Sequence, residues 1–234
     1  MNELNENIFR QYNKWKTGYV RKENSILVRI NQFLSVERMS DIMDNKNIIS
    51  DYTINCKDGN YSLDINIDEK DGDYDDVCVY IYESDLINGE LPFKFGEVNA
   101  GFYIDCDVKS LKNSPDFVKD KLSLHGCNSL TSLVGITQHV NGTLYLSGCK
   151  SITSLEGLCK EKNSYHAINC DDCFNLKTLK GAPIEMDGYF SFSNCPSLTS
   201  LEGLPQKING TLYVDKRFED EIPEYVEYEE IKYE

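Results

Sequence analysis

Four stretches of this chain repeat one another, and a repeat of this length restricts the fold more than any other feature. They are KLSLHGCNSLTSLVGITQHVNG (121–142), TLYLSGCKSITSLEGLCKEKNS (143–164), YHAINCDDCFNLKTLKGAPIEMDG (165–188) and YFSFSNCPSLTSLEGLPQKING (189–210). A fifth, TLYV at 211–214, begins the pattern and stops. Cys127, Cys149, Cys173 and Cys195 lie 22, 24 and 22 residues apart. Counted from each cysteine, apolar residues recur at offsets −5, −3, +3 and +6, with glycine at +8.

The −5 and −3 slots hold Leu122/Leu124, Leu144/Leu146, Ile168/Cys170 and Phe190/Phe192. Their period of two describes a short strand with one face buried. Leu130 and Leu133, Ile152 and Leu155, Leu176 and Leu179, and Leu198 and Leu201 follow a bend and point back inward. Asn141-Gly142, Asp187-Gly188 and Asn209-Gly210 read as positive-φ turns into the next strand. One such unit makes a strand and a return, and cannot bury its apolar face alone. Stacked units do, as a solenoid with a short parallel β-sheet and a continuous leucine core.

The resulting form, L-x-L-x-x-C-x-x-L-x-x-L-x-G, resembles the leucine-rich repeat family, and its cysteines match that family's Asn/Cys ladder position. The departure lies at Leu130, Ile152, Leu176 and Leu198, three residues after the cysteine, where the family usually has leucine at the second. The wording SLTSLEGLP and INGTLY is also similar to repeats of uncharacterised proteins of large bacteriophages. The resemblance covers 121–214. It implies a binding surface rather than a catalytic centre and, through the phage association, a host protein as partner.

The flanks are less regular. Gly101–Leu111 reads as a degenerate first unit, and Leu91–Val98 as a cap strand over the first open end. Downstream, Arg217 takes the cysteine slot and Asp220 the +3 slot, ending the pattern in a polar unit. Residues 89–234 are therefore expected to form a leucine-rich-repeat-like solenoid with an N-terminal cap strand and an acidic C-terminal cap. Residues 1–88 are expected to form a small α+β domain. There Ile8, Tyr12 and Trp15 predict a helix over 3–16. Residues 26–36 fit helix or strand equally, and Tyr61–Ile67 with Val77–Tyr82 suggests a β-hairpin around an acidic turn.

Charge narrows the function. The chain has 24 Lys+Arg against 39 Asp+Glu, a net −15, which opposes direct nucleic-acid binding. Residues 64–90 hold ten acids and one base, and residues 215–234 nine acids and three bases; the rest carries 20 of each sign. No apolar run reaches the roughly 18 residues that cross a bilayer. The N-terminus lacks the regions of a signal peptide, and nine cysteines recur at long intervals rather than in a disulfide framework. The expectation is a reduced, cytoplasmic protein without a membrane partner.

His166, Cys170 and Cys173 have a spacing that could supply zinc ligands. Cys173 is also the ladder cysteine, however, and Cys170 fills an apolar slot, so small buried thiols account for both. Asp71–Asp76 has the carboxylate density of a calcium loop but fails the EF-hand register at positions six and twelve, and a solvated turn explains it as well. His125 and His139 fall near opposite ends of one repeat and His166 in another, without a catalytic motif, so no enzyme, cofactor or metal is expected.

What remains is surface. Offsets −6, −4 and −2 lie between buried slots and should face outward, which places Tyr145, Tyr189 and Tyr213 among small polar residues, with His125 and Asp171 at the −2 edge. That composition suits a recognition surface, although tyrosine is also a good strand former. The expected function is a non-enzymatic protein–protein interaction module, as a phage-encoded inhibitor of a host defence or regulatory protein. Its contacts would be these residues together with Glu227, Glu229 and Glu230. Two alternatives stand beside it: an acidic nucleic-acid mimic filling a DNA- or RNA-binding cleft of a host enzyme, and a structural virion component.

Overall fold

The structure, a computed structural model, describes residues 29–30, 33, 51–57, 60–66, 78–162 and 164–234. Short strands dominate it. They are β1 (Asp51–Lys57), β2 (Asn60–Asn66), β3 (Cys78–Ile81), β4 (Lys94–Asn99), β5 (Gly101–Ile104), β6 (Phe117–Val118), β7 (Leu122–Ser123), β8 (His139–Tyr145), β9 (Tyr165–Asn169), β10 (Glu185–Met186), β11 (Phe190–Ser191), β12 (Lys207–Val214) and β13 (Glu227–Tyr233). They wind into a parallel β-solenoid of about seven turns with almost no helix. Among the described strands β1 and β2 alone pair antiparallel.

Two apolar columns run the length of the sheet. In one, Val79, Phe102, Leu122, Leu144, Ile168, Phe190, Leu212 and Ile231 stand in register on successive turns. In the other, Ile65, Val98, Val118, Val140 and Tyr165 follow one another, as do Met186, Ile208 and Tyr228. Leu130, Leu133, Ile152, Leu155, Leu176 and Leu179 close the far wall and are wholly buried, as their +3 and +6 offsets predict. Each such side chain contributes on the order of 1.5–3 kcal/mol by leaving water.

The second column is where sequence and structure part. The Asn-Gly and Asp-Gly pairs are not turns: Gly142 lies within β8 and Gly210 within β12, and neither they nor Gly188 has a positive φ. Glycine is required there because a Cβ on Gly142 would sit 2.5 Å from the Asp120 carbonyl oxygen of the preceding turn. Within the repeats the left-handed residues are instead those just before the ladder cysteines, Gly126, Gly148, Asp172 and Asn194, together with the +8 glycines.

Leu91–Val98, expected as a cap, supplies β4, which has β2 on one side and β6 on the other. Phe95 and Val98 are fully buried and Phe93 nearly so, which an end strand open to solvent would not achieve. The expected hairpin of Tyr61–Ile67 with Val77–Tyr82 does not form either. β2 turns back on β1, and β3 lies parallel to β5. The reason is register: β3 presents Val79 and Ile81 to Phe102 and Ile104, extending the same inward columns.

In the segment 26–36, Arg29, Ile30 and Phe33 are helical, and Phe33 packs edge-on against Phe93 and Phe95 with ring centroids 5.5 and 5.4 Å apart. The expected helix at 3–16 and the acidic loop Asp71–Asp76 lie outside the described residues.

Candidate interaction face

The ladder cysteines set the site's frame. The Sγ of Cys127, Cys149, Cys173 and Cys195 each donates to a carbonyl oxygen of the preceding turn, on Cys106, Leu124, Leu146 and Cys170, at 3.2, 3.0, 3.2 and 3.3 Å. All four thiols are free and buried. The turn spacing is thereby held by bonds that point along the solenoid axis, and the sheet's outer face inherits that regularity. Cys170 is buried too, its thiol donating to the Ser191 carbonyl at 3.1 Å, while His166 is exposed. The H-x₃-C-x-x-C spacing therefore does not converge. Among the described residues no three His, Cys, Asp or Glu are grouped so as to hold a metal ion, and no helix is long and apolar enough to cross a membrane.

On the outer face the −4 positions form a register ladder: Tyr80, Tyr103, Ser123, Tyr145, Asn169, Ser191, Tyr213 and Lys232. Tyr145, Tyr189 and Tyr213 are brought together there. Tyr189 meets Tyr213 edge-on at 5.9 Å and lies beside Tyr145 and Thr143. Burial, then the contact with Tyr145, holds its phenol above the ordinary tyrosine range. Lys232 lies 5.4 Å from the Tyr213 ring centroid.

The three rings are half-buried rather than fully outward, and several of their neighbours are buried: Thr143, Ala167, Ser191 and Ser193. With turns only about 4.8 Å apart, a tyrosine ring spans the small side chains of the adjacent strand.

Asp171 anchors a polar strip beside the rings. Its carboxylate accepts from Asn169 Nδ2 at 2.7 Å, Ser191 Oγ at 2.6 Å and the Ser193 amide at 2.7 Å, while Ser147 Oγ donates to Asn169 Oδ1. His125 is exposed and separated from Asp171 by the intervening strand that carries Ser147, so the two do not meet.

Of the three acidic candidates, Glu230 joins the tyrosine patch: it accepts from Thr211 Oγ1 at 3.3 Å and pairs with Lys232 at 3.2 Å. Glu227 lies further along β13, 3.7 Å from Lys207, and Glu229 is exposed between them.

Sequence reasoning missed Tyr80, Tyr103 and Lys232 on this face. The signal existed, since Val-Tyr-Ile at 79–81 and Phe-Tyr-Ile at 102–104 carry the same inward–outward–inward pattern as Leu-Tyr-Leu at 144–146. Tyr80 and Tyr103 rings lie 5.2 Å apart and extend the aromatic column to the other end of the sheet. No family model, no curated protein and no solved structure matches this chain.

Proposed function

We propose that the chain is a non-enzymatic, leucine-rich-repeat-like binding module that engages another protein through the outer face of its sheet. The observation that carries this reading is the Tyr145–Tyr189–Tyr213 cluster, with Asp171 and Lys232 at its border. Clustered tyrosines give a large contact area with few torsions to freeze, and ring contacts such as Tyr189 with Tyr213 hold the patch in shape before a partner arrives. On the repeat wording, the partner is a host defence or regulatory protein in the host cytoplasm, and the chain is its phage-encoded inhibitor.

The nucleic-acid mimic draws less support. Next to the tyrosine face the carboxylates are compensated, since Glu227 and Glu230 stand beside Lys207 and Lys232. A virion component would co-purify with particles, and the tyrosine face gives no specific reason to expect that.

The test is affinity capture from the natural host with wild-type protein and Tyr145→Ala in parallel, read by mass spectrometry. The expected result is a partner retained by wild type and lost from the variant with folding unchanged. Equal recovery of every captured protein would remove the tyrosine face from consideration.

A further inference from the structure

Among the described residues the last strand of the solenoid is β13 (Glu227–Tyr233). β13 pairs with β12 on one side, and among the described residues no strand pairs with the other. The register Ile208–Tyr228, Leu212–Ile231 and Val214–Tyr233 carries the core columns one strand further, and no described strand pairs beyond it. Tyr228 and Tyr233 are 38% and 37% exposed, while Ile208, Leu212 and Val214 are at most 1% exposed; Tyr225 nearby is 65% exposed. This end therefore presents backbone donors and acceptors along an edge together with an apolar column, the two features that receive an added strand.

Charge selects the occupant. Residues 215–234 hold nine acids against three bases. Two of those bases are engaged locally. Lys232 pairs with Glu230 at 3.2 Å, and Arg217 turns back to the Cys195 carbonyl at 2.5 Å and to Asp215 at 3.6 Å. Glu219, Asp220, Glu221, Glu224, Glu227 and Glu229 are exposed around the edge. A second copy docking through the same end would set two acidic rims against each other, and like charges across neighbouring strands are destabilising. At the opposite end β3 begins the first parallel column, but residues 64–90 hold ten acids and one base, so a second copy added head to tail would again set like charges together.

We infer that β13 receives an extended basic segment of a partner protein as an added strand. Apolar residues two apart in that segment cover Ile231 and Tyr233, a third covers Tyr228 across the register shift, and lysines or arginines outside the Ile231–Tyr233 pair face Glu227, Glu229 and Glu230. The acidic edge then discriminates by sign: it disfavours addition of its own copies and admits a strand of opposite charge. This edge borders the tyrosine face and shares Glu230 and Lys232 with it, and the two are told apart by Tyr145, which lies four strands away from β13.

The experiment titrates the full chain into fluorescent seven-residue peptides: one alternating lysine and valine, one alternating glutamate and valine, and two lysine–valine peptides N-methylated at odd or even backbone positions. The lysine–valine peptide should bind saturably. The glutamate peptide and one of the two N-methylated peptides should bind at least tenfold more weakly. Reversing Glu227, Glu229 and Glu230 to Lys should invert the charge preference with an unchanged far-UV circular dichroism spectrum, and Tyr145→Ala should leave peptide binding as it was. Absence of saturable binding, or indifference to peptide charge, overturns the inference. Equal binding of both N-methylated peptides would show charge attraction without strand addition. A concentration-dependent dimer in sedimentation without peptide, abolished by the reversal, would assign the edge to a second copy.

Discussion

The thiol of Cys149 donates to the carbonyl oxygen of Leu124, one turn earlier, at 3.0 Å. Thiols are weak donors, so the consequence is mainly one of orientation: each ladder sulfur is aimed at a backbone acceptor of the neighbouring turn. A stack of cysteines at strand spacing then stays reduced, because a disulfide needs a dihedral that parallel inward-pointing side chains do not provide.

Site-resolved thiol labelling follows directly. Cys56 is exposed and should react first, whereas Cys127, Cys149, Cys173 and Cys195 should stay protected until the chain unfolds. Rapid native-state labelling of the four would remove the ladder.

The same burial predicts a stability that depends on pH on the alkaline side. Burial pushes the Cys195 thiol up to about 12 and raises that of Cys173, against an ordinary value near 9. The unfolded chain therefore loses these protons first. The stabilising contribution is complete below pH 9 and is lost as pH rises from 9 towards 12. Urea midpoints should be flat between about pH 7 and 8.5 and fall above 9. A midpoint that rises in that range would have the wrong sign.

Leu155 is fully buried in the far wall, and Glu156 beside it is exposed. Leu155→Ala should cost about 2–5 kcal/mol in chemical denaturation, while Glu156→Ala should stay within about 0.5 kcal/mol of wild type. Equal effects would place the wall elsewhere.

Two glycines with positive φ should respond differently to alanine. At Gly181, φ is +102° and a Cβ would lie 2.2 Å from the Leu155 carbonyl carbon of the preceding turn. At Gly126, φ is +74° and the site is open. Gly126→Ala should cost about 1–2 kcal/mol from backbone strain alone, and Gly181→Ala roughly 3 kcal/mol or more. Similar melting temperatures for the two variants would contradict the close stacking of turns.

The cysteine ladder and the leucine slots were legible because a buried column demands the same residue type at the same offset in every turn. The second column was not. Val140, Tyr165, Met186 and Ile208 differ in kind, and the Asn141-Gly142 pair within that stretch of β8 carries the signature of a turn, although its glycine serves close approach. β2 and β3 were assigned to each other because alternation identifies a strand but not its partner. Parallel pairing over more than twenty residues, as between β3 and β5, leaves no local trace. The tyrosine face was legible in position but not in exposure: whether Tyr145 stands clear depends on its neighbours across the sheet, and Tyr189 closes over that gap.

The measurement that bears most directly on the tyrosine face is the affinity of the captured partner for three proteins at low and high salt: wild type, Tyr145→Ala, and Glu227, Glu229 and Glu230 reversed to Lys. A central aromatic anchor is worth about 2 kcal/mol, so Tyr145→Ala should weaken binding roughly thirtyfold at both salt concentrations. The reversal should act mainly on the association rate and its salt dependence. A silent Tyr145→Ala, with the reversal abolishing binding at moderate salt, would contradict the account and favour the acidic mimic.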